Sequence, residues 1–347
     1  MWLLLLACRE RVSYTTSIEP EHPWAVEEAD ASWAARFEAA RSYHASVGGL
    51  SMLVVHQDAL VYEEYANGNA ASTPHPLWSG TKTFACALAM EGVEQGLLTL
   101  DEPVSDTLEI REEQQDMQIR HLLNFTSGVE HDFWALQRDS WYADQHTEDK
   151  VAYTLAQPQA HPPGEVFEYS PVHLLLFSGL MEEKLDGDVL DWLDAQVLSP
   201  IGFRWAGWQR DPSGTLLVHL GTWTTAAEWL RFGVLLRDDG MWEGERVLPE
   251  GTLATCGTGS TPNPAYGLSV WLNQPVGSDD PALTVNADIE EEGPIFHAEG
   301  HTDLVVAAGA SGQRLYVIPQ EQLVVALLSD SRDFSDVVFL DHLLLDP

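Results

Sequence analysis

Ser79 and Lys82 stand three residues apart in the stretch Leu77-Trp78-Ser79-Gly80-Thr81-Lys82-Thr83-Phe84-Ala85-Cys86-Ala87-Leu88-Ala89-Met90. Apolar residues at 84, 85, 87, 88 and 90 recur at helical spacing, which predicts that Ser79 sits near the first turn of a mostly buried helix. Residues three apart share a helix face, so the Lys82 amine is expected beside the Ser79 hydroxyl. A serine hydroxyl is a weak nucleophile until a neighbouring base takes its proton. A lysine serves as that base when burial or nearby positive charge lowers its pKa toward neutrality. The start of a helix adds free N–H groups that help to hold a developing oxyanion. The chain has only three lysines, Lys82, Lys150 and Lys184. The same spacing also arises by chance on exposed helices; the apolar surroundings of this one favour the chemical reading.

The remaining pattern describes what positions the pair. Residues 27–43 read as an amphipathic helix with Trp33, Ala34, Phe37 and Ala40 on one face. Residues 50–56 and 59–65 flank Gln57-Asp58 and predict a β-hairpin. From 97 to about 217 the pattern is mainly helical, with a short helix ending near Gly128, an apolar helix over 173–181, and another helix and turn over 189–203. Residues 224–236 read as an amphipathic helix and 266–272 as a strand. Strand-like runs at 305–308, 313–318 and 323–328 precede a final helix at 337–345. The expected fold class is therefore α+β. An antiparallel sheet joins both chain ends, with an α/β lobe over about 25–98 and 218–345 and a mainly helical lobe over about 99–217 inserted between. The cleft between such lobes is the expected active site.

Composition narrows the partners. The 347 residues contain 45% hydrophobic and 10% aromatic side chains, as a folded globular chain does. A formal charge of −37 argues against nucleic acid and anionic membrane surfaces as partners. Three cysteines, Cys8, Cys86 and Cys256, are too few for a disulfide framework, and Cys86 is expected as a small core residue. Leu5-Leu6-Ala7-Cys8 is similar to the bacterial lipoprotein signal, which implies export and membrane attachment through a lipidated Cys8. Residues 1–24 then form the signal and linker, and a periplasmic or outer-membrane location is expected; a chance match would leave the protein cytoplasmic. No other stretch approaches the roughly 18 apolar residues of a membrane span.

Further along, Pro162-Pro163-Gly164-Glu165-Val166-Phe167-Glu168-Tyr169-Ser170-Pro171 places a tyrosine after a turn, and the glycine-rich Ala307-Ala308-Gly309-Ala310-Ser311-Gly312-Gln313 opens a late strand. With Ser79-x-x-Lys82 ahead of them, these elements resemble, in order and spacing, the serine β-lactamase and penicillin-binding-protein superfamily. The resemblance spans about residues 25–345 and points to the class C-like branch, which includes esterases, D-amino peptidases and 6-aminohexanoate-oligomer hydrolases. It implies that Ser79 is the nucleophile, Lys82 its activating partner and Tyr169 the proton relay to the leaving group. The backbone N–H groups of Ser79 and Ala310 would form the oxyanion hole. The family's third element usually begins with Lys or His; here it is Ala307-Ala308-Gly309, so the cation is missing. The residue two after the tyrosine is Pro171, which offers no side-chain amide. Both departures favour a carboxylic ester or small amide over a β-lactam. A β-lactamase or D-amino peptidase is the alternative, and a catalytically silent module that binds cell wall or protein is the alternative of another class.

The aromatics Trp134, Trp141 and Tyr142 are candidates for an acyl pocket. Two metal patterns carry less weight. His297-Ala298-Glu299-Gly300-His301 lacks the H-E-x-x-H order, and Gly300 discourages the helix that zinc motif needs. Asp288-Ile289-Glu290-Glu291-Glu292-Gly293, with Glu299 beyond, resembles a calcium loop but carries Glu where short ligands belong. No metal or cofactor is expected.

Overall fold

A computed structural model of the chain describes residues 15, 17–130, 149–185, 187–276, 293–294, 296, 300–331 and 333–345. Its centre is a sheet of seven strands: β1 (Ala25–Val26), β2 (Gly49–His56), β3 (Ala59–Tyr65), β4 (Trp271–Leu272), β5 (Val305–Gly309), β6 (Gln313–Ile318) and β7 (Leu323–Ser329). They lie in the order β1-β3-β2-β7-β6-β5-β4. Only β1 and β3 pair in parallel; the other neighbours are antiparallel. The front hairpin and the three late strands thus join where β2 meets β7, with Leu53 opposite Ala326. The hairpin turn is at Gln57-Asp58, both in the left-handed region that short polar side chains tolerate. Ala25–Val26, at the start of the α/β lobe, contributes β1 to the sheet edge.

Side chains alternate across the pleat, and the alternation decides what covers each face. Leu315 and Val324 point to a helix over Ala226–Arg237, where a Cβ on Gly233 would come within 2.7 Å of Leu315 and 2.5 Å of Val324. Tyr316, one residue on, points the other way and stacks on Phe339 at 5.5 Å in the C-terminal helix. The helices are α1 (Ala31–Ser46), α2 (Thr83–Glu94), α3 (Ile119–Leu123), α4 (Lys150–Leu155), α5 (Val172–Leu185), α6 (Val189–Leu193), α7 (Ala226–Arg237), α8 (Thr252–Cys256) and α9 (Asp336–Leu344). The sheet is therefore sandwiched, α7 on one face and α1 with α9 on the other.

Several elements differ from the sequence expectation for identifiable reasons. α1 starts at Ala31, where the Asp30 carboxylate accepts from the N–H groups of Ser32 and Trp33 at 2.9 and 3.1 Å; the cap decides the boundary. α7 is buried along its whole length instead of presenting a wet face. Its charged residues find partners inside: Glu228 pairs with Arg204 at 2.6 Å and with Arg231 at 3.3 Å. The strand expected over 266–272 is reduced to Trp271–Leu272, because Ser269 takes a left-handed conformation and its N–H bonds the Leu123 carbonyl at 2.8 Å.

The cysteine expectation is corrected. Cys86 of α2 is bonded to Cys256 of α8, a bridge between residues 170 apart in sequence with Cα atoms 6.1 Å apart. Both side chains are buried, so the helix that follows Ser79 is tied covalently to the far half of the chain.

Candidate active site

Ser79 lies on a 3-10 turn, Trp78–Lys82, which runs directly into α2. It therefore precedes the α-helix instead of sitting in its first turn. With about three residues per turn, a 3-10 segment eclipses positions i and i+3 more closely than an α-helix does, and this aligns Ser79 with Lys82. The turn is held from outside. The Leu77 N–H donates to the Thr222 carbonyl at 3.0 Å, and the Thr222 N–H donates to the Thr81 hydroxyl at 3.2 Å. Trp78, just before Ser79, has φ +49°, a conformation bulky side chains rarely adopt. Backbone strain of this kind persists only where the surroundings over-determine it, and it concentrates at functional sites.

Gly309, at the end of β5, is required by close approach. A Cβ there would lie 2.0 Å from the Leu77 carbonyl oxygen and 3.1 Å from the Gly80 nitrogen. Only glycine lets the strand end press against the Ser79 turn, and that contact brings Ala310 to the same cleft as Ser79. On the other side, a Cβ on Gly80 would meet the Trp229 ring of α7 at 2.7 Å.

The Lys82 side chain is buried, only 4% exposed. Its Nζ donates to Ser79 Oγ at 2.9 Å and to the His219 carbonyl at 2.7 Å. Burial disfavours the ammonium and pulls its pKa from 10.5 down to about 7. Tyr169 faces the same pair: Lys82 Nζ lies 5.1 Å from the centre of its ring. Burial pushes the phenol up to about 12, opposed by hydrogen bonds with Ser79 and Trp271 and by the charge of Arg314. The two groups thus differ sharply: at neutral pH the phenol keeps its proton, and the amine stands near half-protonation.

The tyrosine is fixed by aromatic packing. Trp271 stacks on it at 5.4 Å, Phe125 lies at 5.4 Å and Tyr266 meets it edge-on at 6.0 Å. His173 braces the segment before it, with one ring nitrogen 2.8 Å from the Glu168 carbonyl and the other 2.9 Å from the Ser127 hydroxyl. The cleft holding Ser79 and Tyr169 has a volume of about 400 Å³, and Ala308, Gly309, Ala310 and Arg314 contribute to its wall. A second recess of about 410 Å³ lies between His121 and the loop at Thr258–Pro262, but neither Ser79 nor Lys82 reaches it.

A sequence model described as Beta-lactamase matches residues 34–346. The chain belongs to the beta-lactamase family. Solved structures of this family superpose over most of its length. A protein assigned as a 6-aminohexanoate-dimer hydrolase from Bacillus anthracis gives a TM-score of 0.70 at 17% identity, covering 94% of this chain and 88% of its own. EstCE1, a hydrolase with promiscuous acyltransferase activity, gives 0.67 at 18% identity, covering 90% and 98%. Among curated proteins, monacolin J acid methylbutanoyltransferase of Aspergillus terreus is 27% identical over 153 residues, 38% of this chain and 37% of its own length. The chain thus matches little more than a third of that transferase. The beta-lactamase-like fold expected from sequence is present.

The structure brings Ser79, Lys82, Tyr169, Gly309 and Ala310 together. Ala308 lines the cleft, while Ala307 lies opposite Leu315 and so points to the α7 face of the sheet. Trp134, Trp141 and Tyr142 lie outside the described residues, as do Cys8, His297, Glu299 and residues 288–292. Sequence reasoning missed four participants. His219 offers only its carbonyl, which carries no residue-type signal. Trp271 was visible as an aromatic, not as the partner of Tyr169. Arg314 and its carboxylate Asp336 were hidden because they lie 22 residues apart.

Proposed function

We propose that the protein cleaves a carboxylic ester, or a small amide, through a Ser-Lys-Tyr acyl-enzyme. The observation that carries this reading is the 2.9 Å contact between Ser79 Oγ and a buried amine whose pKa is about 7. Lys82 is the general base: it takes the Ser79 proton as Oγ attacks the carbonyl carbon. The N–H groups of Ser79 and Ala310 receive the oxyanion. As the tetrahedral adduct collapses, the phenol of Tyr169 protonates the leaving oxygen or nitrogen and is reprotonated from Lys82. Water then attacks the acyl-enzyme, with Lys82 and Tyr169 reused, and releases the acid. The 12-range pKa of the phenol supports this division, because a tyrosinate base would be scarce at neutral pH.

Substrate class is read from the residues of the second and third sequence elements. Ala307 and Ala308 leave the third element without a cation, and Pro171 removes a side-chain amide, which favours a neutral ester over a β-lactam carboxylate. The decisive assay compares wild type with Ser79→Ala on p-nitrophenyl acetate, p-nitrophenyl butyrate and nitrocefin, with intact mass after a fluorophosphonate. Ester turnover and a covalent adduct, both absent in Ser79→Ala, are expected, with nitrocefin turned over far more slowly. No adduct and no turnover would overturn the enzyme mechanism and leave the binding module. We also propose export, with attachment through a lipidated Cys8; a buried cystine fits an oxidising compartment.

A further inference from the structure

Among the described residues, Arg314 is the arginine that lines the Ser79 cleft. It is 6% exposed, and its guanidinium is committed. Nε and Nη2 donate to the two oxygens of Asp336 at 2.6 and 2.7 Å, while Nη1 donates to the carbonyls of Gly309 and Gln313, each at 2.9 Å. The Phe334 ring covers it at 5.4 Å, and the Tyr316 hydroxyl donates to the same Asp336 carboxylate at 2.5 Å. A guanidinium neutralised in this way is a poor receptor for a substrate carboxylate. Its position on the backbone is more informative.

The Gly309 carbonyl and the Ala310 N–H belong to one peptide unit. In a trans peptide these groups point in opposite directions. Gripping the carbonyl therefore fixes the direction of the N–H, away from the guanidinium. A cation hydrogen-bonded to the carbonyl also draws electron density through the amide and strengthens its N–H as a donor. We propose that Arg314, anchored by Asp336, is a positioning residue that orients and polarises the Ala310 N–H as the oxyanion donor. The positive charge missing from the third element is thus supplied from behind the peptide instead of from the side facing substrate. The inference rests on the acyl-enzyme reading above, in which Ala310 is such a donor.

The test compares Asp336→Asn with Arg314→Gln/Asp336→Asn. The reference keeps the guanidinium on Gly309; the double variant removes it without leaving a buried carboxylate unpaired. For p-nitrophenyl butyrate, kcat of the double variant is expected to fall about 10- to 100-fold below the reference with KM within about twofold. Benzeneboronic acid, whose adduct with Ser79 mimics the tetrahedral state, should bind more weakly by a similar factor. A folded double variant that matches the reference in kcat and boronate affinity overturns the proposal. Should the double variant not fold, Arg314→Lys decides: one ammonium can still reach the carbonyl, so it should keep kcat closer to wild type than Arg314→Gln does, and equal losses in both overturn the proposal. Equal boronate affinity in wild type and Ser79→Ala would instead remove the acyl-enzyme reading itself.

Discussion

Lys82→Met is expected to lower kcat/KM for p-nitrophenyl butyrate by about 1,000- to 10,000-fold, the range lost with a general base, while making the protein more stable. The first effect follows from removing the amine 2.9 Å from Ser79 Oγ. The second follows from what burial does to it. Lys82 has a folded-state pKa of about 7 against 10.5 for an exposed lysine. A group whose charged form is disfavoured by folding costs stability wherever the unfolded chain would hold the proton, here at all pH values below about 10.5. The cost is greatest below about 7 and fades between 7 and 10.5. A shift of this size corresponds to about 4–5 kcal/mol. Loss of the two Nζ hydrogen bonds offsets roughly 2 kcal/mol of it. A net gain of about 2–3 kcal/mol is therefore expected at pH 6, turning into a net loss of about 1 kcal/mol at pH 10. Urea unfolding at the two pH values measures it. In the wild type, kcat/KM should rise with pH through about 7 as the amine loses its proton. A profile flat from pH 5 to 9, or a gain of Lys82→Met over wild type that is no larger at pH 6 than at pH 10, would contradict this account of the base.

Cys86→Ala/Cys256→Ala is expected to produce the largest loss of stability. Chain entropy for a closed loop of 170 residues predicts about 5 kcal/mol, and measured losses for native bridges commonly run about 2–5 kcal/mol. Dithiothreitol should shift the urea midpoint of the wild type to the same place and leave the variant unmoved. The bridge ties α2, which continues from Lys82, to α8, so activity should also fail at lower urea concentration in the variant. Identical midpoints for oxidised and fully reduced wild type would show that the cross-link does not constrain the unfolded chain.

What could be read from the sequence was mostly local. Ser79 and Lys82 are three apart, and any helical turn puts them together, so the candidate pair was legible before the sheet that supports it. The hairpin over residues 49–65 was legible for the same reason: alternation on both sides of Gln57-Asp58 leaves little choice of register. Tyr169 and Gly309 became readable through their order along the chain. The reason Gly309 must be glycine, a carbonyl 2.0 Å from where its Cβ would be, exists only in three dimensions. α7 misled because charge on a helix normally marks its wet face. Here Glu228 and Arg231 are buried together, and their partner Arg204 lies outside the helix. The Cys86–Cys256 and Arg314–Asp336 pairs are long-range matches between residue types that pair in many ways, so spacing gave no means of choosing them.

With Cys86 and Cys256 joined, one of the chain's three cysteine sulfurs lies outside the bridge, that of Cys8. The native protein is thus already a one-site labelling reagent: a maleimide applied to the denatured, unreduced chain reports on Cys8 alone. One label per chain means a free N-terminal-region thiol, and none means that its sulfur is blocked, as a thioether-linked lipid would block it. A bridge that holds the helix after Ser79 therefore also turns thiol counting into a direct readout of how this protein is processed.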